Sequence, residues 1–490
     1  MRRSSRLFRN TFFLALAQIS NPFLSMIFIL VLARGRGTDG LGGYTTILTL
    51  FSLFTLCSTL GLNELIIRDV AADRSRAGKA FSNLFWIGLV SSVFFIFLMI
   101  LSSAALHYDR TLFQSACVIS AALPFYTLSV YSQALLQSFE KMEYCSLILI
   151  AETLWKVFVG TFALQIGLGL QWIMGILVLA YIQSCVLGLV FVRKHVTPLR
   201  LRVDWPTVRG FIRQAPTFLT LSLVVLIYWS TDILMLSKLR SIAEVGLYSA
   251  GYRLLTIAKG LVHSYVMAVF PVMSNQYETS PESFRRSSIR SIKFLLIMTI
   301  PIAAVVSFLA REILLLLYGS KFEFAEAAGA LRILICPIIL FPIANLLGNA
   351  LIASHHQKTD LMINGVSALV NVFLNVLLIR RYGYFGAAVA TLISIVTFIV
   401  FQSFAVRKYL FPIHYGELLA KPFAAAAVMV GTMFGLRMLT PVVSSAIGLA
   451  LFIVTLVVTR YLSDDELKMI KDLWREKRLL FALSRGQDHD

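Results

Sequence analysis

Residues Ser230 to Gly260 read S-T-D-I-L-M-L-S-K-L-R-S-I-A-E-V-G-L-Y-S-A-G-Y-R-L-L-T-I-A-K-G. An apolar span ends at Leu236, a short polar turn follows, and a second apolar span begins at Val245. Three ionisable groups sit inside the spans: Asp232 in the first, Arg253 and Lys259 in the second. A charge near the centre of a membrane helix costs about 2.5–3.5 kcal/mol on insertion scales, so such residues face a wet cavity or a partner. The stretch is also one copy of an internal repeat. Leu32 to Thr45 reads L-A-R-G-R-G-T-D-G-L-G-G-Y-T and aligns without a gap on Leu236 to Ser249. The alignment pairs Leu32 with Leu236, Arg34 with Lys238, Arg36 with Arg240, Gly42 with Gly246 and Tyr44 with Tyr248. Both copies join the end of one apolar span to the start of the next, so the chain reads as two related halves.

The composition agrees. Of 490 residues, 58% are hydrophobic and 14% charged, against about 25% charged in soluble domains. The pattern predicts an all-α polytopic membrane protein with fourteen spans of about 20 apolar residues: 11–33, 41–62, 81–106, 113–137, 146–167, 171–192, 214–237, 245–273, 292–310, 331–352, 361–379, 385–406, 422–439 and 442–461. The expected domains are a six-helix lobe at 1–192, a linker at 193–213, a second six-helix lobe at 214–406, two added helices at 407–461 and a tail at 462–490. In the tail, Ser463-Asp464-Asp465-Glu466 opens with a capping box and an amphipathic surface helix follows. The first apolar run is too long for a signal-peptide core and stays as a membrane helix.

The net charge of +19 is accounted for by where the cations lie. Arg2, Arg3, Arg6 and Arg9 precede the first span. Arg68, Arg74, Arg76 and Lys79 follow the second, Arg193 to Arg213 follow the sixth, and Arg285 to Lys293 follow the eighth. In the fourteen-span reading these segments share one side, which places both termini in the cytoplasm of an inner-membrane protein facing anionic lipid, with no nucleic-acid partner. The five cysteines lie in or beside apolar stretches without metal-ligand spacing. No loop is long enough for a catalytic domain, and no phosphate-cradling P-loop is present. The expectation is therefore a non-enzyme without cofactor, metal or catalytic residues.

The membrane-embedded charges are the candidate site. Arg253 lies eight residues into its span, about 12 Å at 1.5 Å per residue, and Lys259 about 21 Å. Glu152 and Lys156 are four apart and share a helical face. Cations outnumber anions at these depths, which favours an anionic ligand, and an arginine fork suits phosphate. Arg253, Lys259 and Lys156 are the candidate substrate-binding residues; Asp232 and Glu152 are the candidates for ion coupling.

Four passages carry a family likeness: Leu32 to Arg68, V-G-L-Y-S-A-G-Y-R-L at Val245 to Leu254, L-L-L-L-Y-G-S-K-F-E-F-A-E-A-A-G-A-L-R-I-L at Leu314 to Leu334, and N-V-F-L-N-V-L-L-I-R-R-Y-G-Y-F-G-A-A-V-A-T at Asn371 to Thr391. In this order the chain resembles the Wzx-like polysaccharide-synthesis flippases of the multidrug/oligosaccharidyl-lipid/polysaccharide exporter superfamily. The resemblance implies two lobes around a central cavity, alternating access, and a lipid-linked oligosaccharide on polyprenyl pyrophosphate as cargo. Polymerase or export proteins are the partners it implies. The alternatives are a cation-coupled multidrug exporter and a peptidoglycan-precursor flippase. Against the latter, the first span carries Gln18 and Asn21-Pro22 where those relatives place arginines.

The orientation has a direct check. Reporter fusions after Arg213 and after Asp490 are expected to report the cytoplasm, and fusions at Asp109 or Arg381 the opposite side. An external signal at Arg213 overturns the span count of the first half.

Overall fold

The computed structural model describes residues 2–198, 202–319 and 322–461. The tail expected over 462–490 and the side chains of Arg2, Arg3, Arg6, Arg9 and Gln18 lie outside the described residues. Every regular element among those described is a helix, as lipid requires of a chain whose backbone must satisfy itself. Ten helices are long and apolar enough to cross a membrane, or eleven when the bent pair Arg110–Ser120 and Leu123–Ser138 counts as one span.

Two of the three spans that separate eleven from fourteen are merged for a local reason. The helix Arg2–Ser58 contains a break at Gly37 (φ 69°), between the expected spans 11–33 and 41–62. The helix Gln357–Tyr409 breaks at Gly383 (φ 58°), between 361–379 and 385–406. Both glycines adopt backbone angles that a β-carbon disfavours, so the chain turns without leaving a loop. Glu244 also presses on Gly383: its Oε2 accepts from Tyr384 N at 3.0 Å and would overlap a β-carbon there. The helix Trp205–Leu239 covers the expected span 214–237.

Two compact units divide the chain: Met1–Ile257 with Arg311–Pro337 and His356–Phe401, and Ala258–Ala310 with Ile338–His355 and Gln402–Asp490. In the first, apolar side chains from Leu62 to Ala215 form one core, with Tyr131, Leu135 and Ile148 fully buried. Small residues let its helices approach closely. A β-carbon on Gly88 would meet the Tyr131 ring, and one on Gly188 would meet Ser132. Buried hydroxyls add links between helices: Ser58 Oγ and Thr127 Oγ1 lie 2.6 Å apart, and Tyr131 donates to the Thr59 carbonyl at 3.0 Å. Small and hydroxylated residues serve this purpose in membranes, where lipid offers helices no hydrophobic drive to associate.

The two repeat copies pack against each other within this unit. A β-carbon on Gly42 would overlap the Ile242 carbonyl, and one on Gly246 would overlap the Thr38 carbonyl. Thr38 and Ile242 are themselves partners in the repeat alignment, so the contact is reciprocal. Leu236, Val245 and Tyr248 continue it into a core with Leu334, Ile379 and Ala387.

The basic positions of the repeat cap helix ends. Arg34 donates to the Leu317 and Leu316 carbonyls at 2.8 and 2.7 Å, and its counterpart Lys238 donates to Leu106 O at 2.8 Å. Arg36 donates to the carbonyls of Gly167 and Leu168, just past the helix Met142–Gln165. Its counterpart Arg240 donates to Ile379 O and Arg380 O at 3.0 and 2.8 Å. A helix leaves its last four carbonyls without internal partners, and a cation there is favoured by the dipole.

Crowding at the reciprocal contact predicts Gly42→Val and Gly246→Val each to destabilise by about 1–3 kcal/mol, the usual cost of overpacking. Gly35→Ala, whose β-carbon would meet nothing within 4 Å, is the control. Thermal unfolding in detergent measures both; equal melting of all three proteins would contradict the contact.

Candidate functional site

Two polar clusters lie inside the apolar helices of the first unit. The first starts from the helix Met142–Gln165, whose four-residue spacing sets Glu152 beneath Lys156. They form an ion pair with side chains 14% and 21% exposed, enough shielding for removal of either charge to be felt. Ser184 donates to the other Glu152 oxygen at 2.7 Å. The Lys156 ammonium also sits 4.6 Å from the centre of the Tyr181 ring, a cation–π distance, and Tyr181 packs edge-on to Tyr126. Thr153, on the same helix, donates to Asn21. That contact ties the helix to the residue preceding Pro22, where a helical N–H is lost.

Lys156 and Arg253 both interact electrostatically with Tyr44, which brings the two expected cations into one neighbourhood. Arg253 also interacts electrostatically with Tyr318, whose hydroxyl donates to Ala250 O at 3.1 Å and whose ring stacks on Phe324. Arg253 is half-buried, and its Nε is buried without a hydrogen-bond partner. Buried donors are almost always satisfied, so this guanidinium is a ready anion receptor.

The second cluster surrounds Asp232, which is 5% exposed and so does not reach out to an aqueous interface. Asn375 donates to one carboxylate oxygen at 2.6 Å. Tyr248 and Thr391 donate to the other at 2.8 and 2.7 Å. Asn375 also donates to Asn371 Oδ1 at 2.9 Å, and Asn371 to Ser394 at 3.2 Å. The Asn375 carbonyl oxygen is buried without a partner. Carboxylate, hydroxyl and amide oxygens thus converge from three helices, the donor chemistry that hard cations prefer.

Lys259 belongs to the second unit. It is 8% exposed and its ammonium lies 5.4 Å from the centre of the Phe341 ring. Of the five expected site residues, then, Lys156 and Arg253 share the electrostatic neighbourhood of Tyr44, with Glu152 joined through its pair with Lys156, while Asp232 and Lys259 each have their own surroundings. Tyr44, Tyr248, Asn375 and Thr391 complete the clusters and were not singled out by charge. One signal pointed to two of them: Tyr44 and Tyr248 are repeat partners; Tyr248 donates to Asp232, and Tyr44 interacts electrostatically with Lys156 and Arg253.

This geometry has known counterparts. The structure superposes on a lipid II flippase, MurJ, in an inward closed conformation, with TM-score 0.76, 15% identity, and 91% of this chain and 98% of that one covered. A multidrug resistance MATE family transporter of the MOP superfamily follows with TM-score 0.66, 12% identity and 81% and 98% coverage. The fold is thus the one these two structures share, in a multi-pass membrane protein. The chain belongs to the polysaccharide biosynthesis protein family, whose model matches residues 7–276; a MatE model matches residues 216–377. A probable low-salt glycan biosynthesis flippase, Agl15, of Haloferax volcanii is 25% identical over 214 residues, 43% of this chain and 44% of that relative. The match therefore spans less than half of that relative's length. An uncharacterized membrane protein, MJ1375, of Methanocaldococcus jannaschii is 23% identical over 421 residues, 82% of this chain and 98% of its own.

The ion pair is open to a double-mutant cycle. Glu152→Gln strands the ammonium and Lys156→Met strands the carboxylate, so each single change is expected to lower stability. The double change recovers part of the loss, with a coupling energy of roughly 0.5–3 kcal/mol. Strict additivity in detergent melts would show that the pair contributes nothing.

Proposed function

We propose that this protein is a flippase that carries a lipid-linked oligosaccharide across the cytoplasmic membrane by alternating access, the lipid being a polyprenyl pyrophosphate. Family membership and the glycan-flippase relative support the class of cargo. The observation that carries the reading is Arg253: a guanidinium deep in an apolar helix, within electrostatic range of Tyr44 and Tyr318, with an unsatisfied buried donor. A pyrophosphate would take both parallel N–H bonds of the fork, while the tyrosine hydroxyls and ring faces suit sugar. Lys156 stands in a supporting role because Glu152 already balances its charge. Lys259 is kept as a further contact for cargo, and both termini are placed in the cytoplasm.

We assign ion coupling to Asp232 ahead of Glu152. The hydroxyls of Thr391 and Tyr248 can turn from donor to acceptor, and the Asn375 carbonyl oxygen is already without a partner. A proton or monovalent cation can therefore enter with small rearrangement. The MATE-like fold keeps a second reading alive, a cation-coupled exporter of drugs. A cationic drug requires an acidic cavity, and a free guanidinium at the centre of the site opposes it.

Arg253→Ala is expected to reduce glycan export at least tenfold with normal membrane abundance. Arg253→Lys keeps the charge but loses the fork, and falls between. Deletion of the gene should leave the lipid-linked glycan on the cytoplasmic leaflet, and analysis of that lipid separates a polysaccharide unit from a peptidoglycan precursor. Full export by Arg253→Ala, or rescue of its defect by adding Asp232→Ala, removes the phosphate-binding role.

A further inference from the structure

The second unit contains a cavity of about 440 Å³ that the transport reading does not use. Three elements build it. The helix Pro281–Phe308 contributes Arg285 and Lys293, two turns apart on one face. The start of the helix Tyr415–Gly435 contributes Glu417 and Lys421. The chain leaving the helix Pro441–Val458 contributes Arg460 and Tyr461. Four cations therefore line the cavity against one carboxylate. Glu282 relieves Arg285 only weakly, at 3.7 Å, and Arg285 Nε is buried without a hydrogen-bond partner.

The frame around these cations is fixed. Tyr461, 3% exposed, donates to Leu418 O at 2.9 Å and so ties the end of one helix to the start of the other. Lys421 donates to Arg460 O at 3.2 Å, and the Lys293 ammonium lies 5.6 Å from the centre of the Tyr461 ring. Arg460 holds a left-handed conformation, φ 46°, at a helix end where glycine is the usual occupant. The helix Tyr415–Gly435 opens here without a side-chain cap from His414, so its unpaired amides and dipole add to the positive field.

In the last turns of the helix Pro441–Val458, just before Arg460, Val454, Val457 and Val458 are 53%, 58% and 75% exposed. In a membrane protein such a row lies against acyl chains. Cations and an open helix start directly beyond it sit at headgroup depth.

We propose that this cavity is a binding site for the phosphate of an anionic phospholipid, whose acyl chains lie along Val454, Val457 and Val458. The site is independent of the cargo assigned above. A soluble phosphate offers the same oxygens but nothing for the valines, so the acyl chains favour the lipid.

The test is native mass spectrometry of the full-length protein in detergent, titrated with phosphatidylglycerol, phosphatidylcholine or inorganic phosphate. The variant Lys421→Gln/Arg460→Gln removes two cavity cations that are both exposed. At about fivefold in affinity per cation near a headgroup, it should bind phosphatidylglycerol about twenty-five-fold more weakly. Arg286→Gln/Lys408→Gln removes the same charge outside the cavity and should bind as the unaltered protein does. Phosphatidylcholine should bind more weakly throughout, without distinguishing the variants. If the cavity variant loses its cooperative melt, Lys293→Gln alone reads the same site with about a fivefold loss. Equal weakening of the two double variants overturns the site, as does equal affinity for the two lipids. Binding of inorganic phosphate without binding of phosphatidylglycerol overturns the lipid as its source.

Discussion

The close approach of Gly42 to the Ile242 carbonyl, and of Gly246 to the Thr38 carbonyl, is the contact on which the rest of the first unit depends. Two helix starts meet backbone to backbone, and the geometry leaves no room for a β-carbon on either. One pair of basic residues beside it repeats the same reciprocity, while Arg36 and Arg240 each cap carbonyls of their own half. Arg34 caps carbonyls of the segment Ala310–Tyr318, while Lys238 caps the end of the helix Ala77–Ala105. Each copy of the motif thus reaches across to a helix end contributed by the other half. A duplicated sequence that pairs with itself in this way makes the contact twice for one set of side-chain requirements, which is the economy of closed two-fold interfaces.

Charge in this chain does three kinds of work, and the sequence separates them only in part. Clusters such as Arg68 to Lys79 read as topology signals by their position between spans. Arg34, Arg36, Lys238 and Arg240 look similar by composition, yet they satisfy helix-end carbonyls. Arg285, Lys293, Lys421 and Arg460 look similar again, yet they converge on one cavity from three segments far apart in the chain. The repeat alignment was the available clue to the capping set, because it paired Arg34 with Lys238 and Arg36 with Arg240. Nothing local marks the converging set, since convergence is a property of packing between distant helices.

The same reasoning explains which parts of the fold and site were legible. Apolar runs announce membrane helices because each span must satisfy its own backbone. The boundaries at Gly37 and Gly383 were legible as well: each break falls between two expected spans, in the polar stretches Arg34 to Gly40 and Arg380 to Gly383, where a glycine in a disfavoured backbone region turns the chain. At the site, Asp232, Arg253, Glu152 and Lys156 stood out because ionised groups are expensive in lipid. Their partners did not: a Tyr, Asn or Thr in an apolar span is inexpensive and common. Asn371 and Asn375, one turn apart on the same helix, become meaningful only when Asp232 arrives from another helix.

The two membrane carboxylates are held in different ways, and the difference bears on how each could respond during transport. Glu152 is balanced by an ammonium on its own helix, so removal of the carboxylate would strand Lys156 beside Tyr181 in an apolar setting. That pair resists change in either member. The donors reaching Asp232 come from Asn375, Tyr248 and Thr391, on helices of the second half. Two of the three are hydroxyls that can reverse their hydrogen bonds. Under the coupling proposed for Asp232, a carboxylate held in this manner would gain a proton or a cation and keep its neighbours satisfied. Tyr248 follows the turn of the second repeat copy by only a few residues. The hydrogen bond from Tyr248 thus links Asp232 to the helix start whose glycine, Gly246, rests on the Thr38 carbonyl, the connection that the proposed coupling would use.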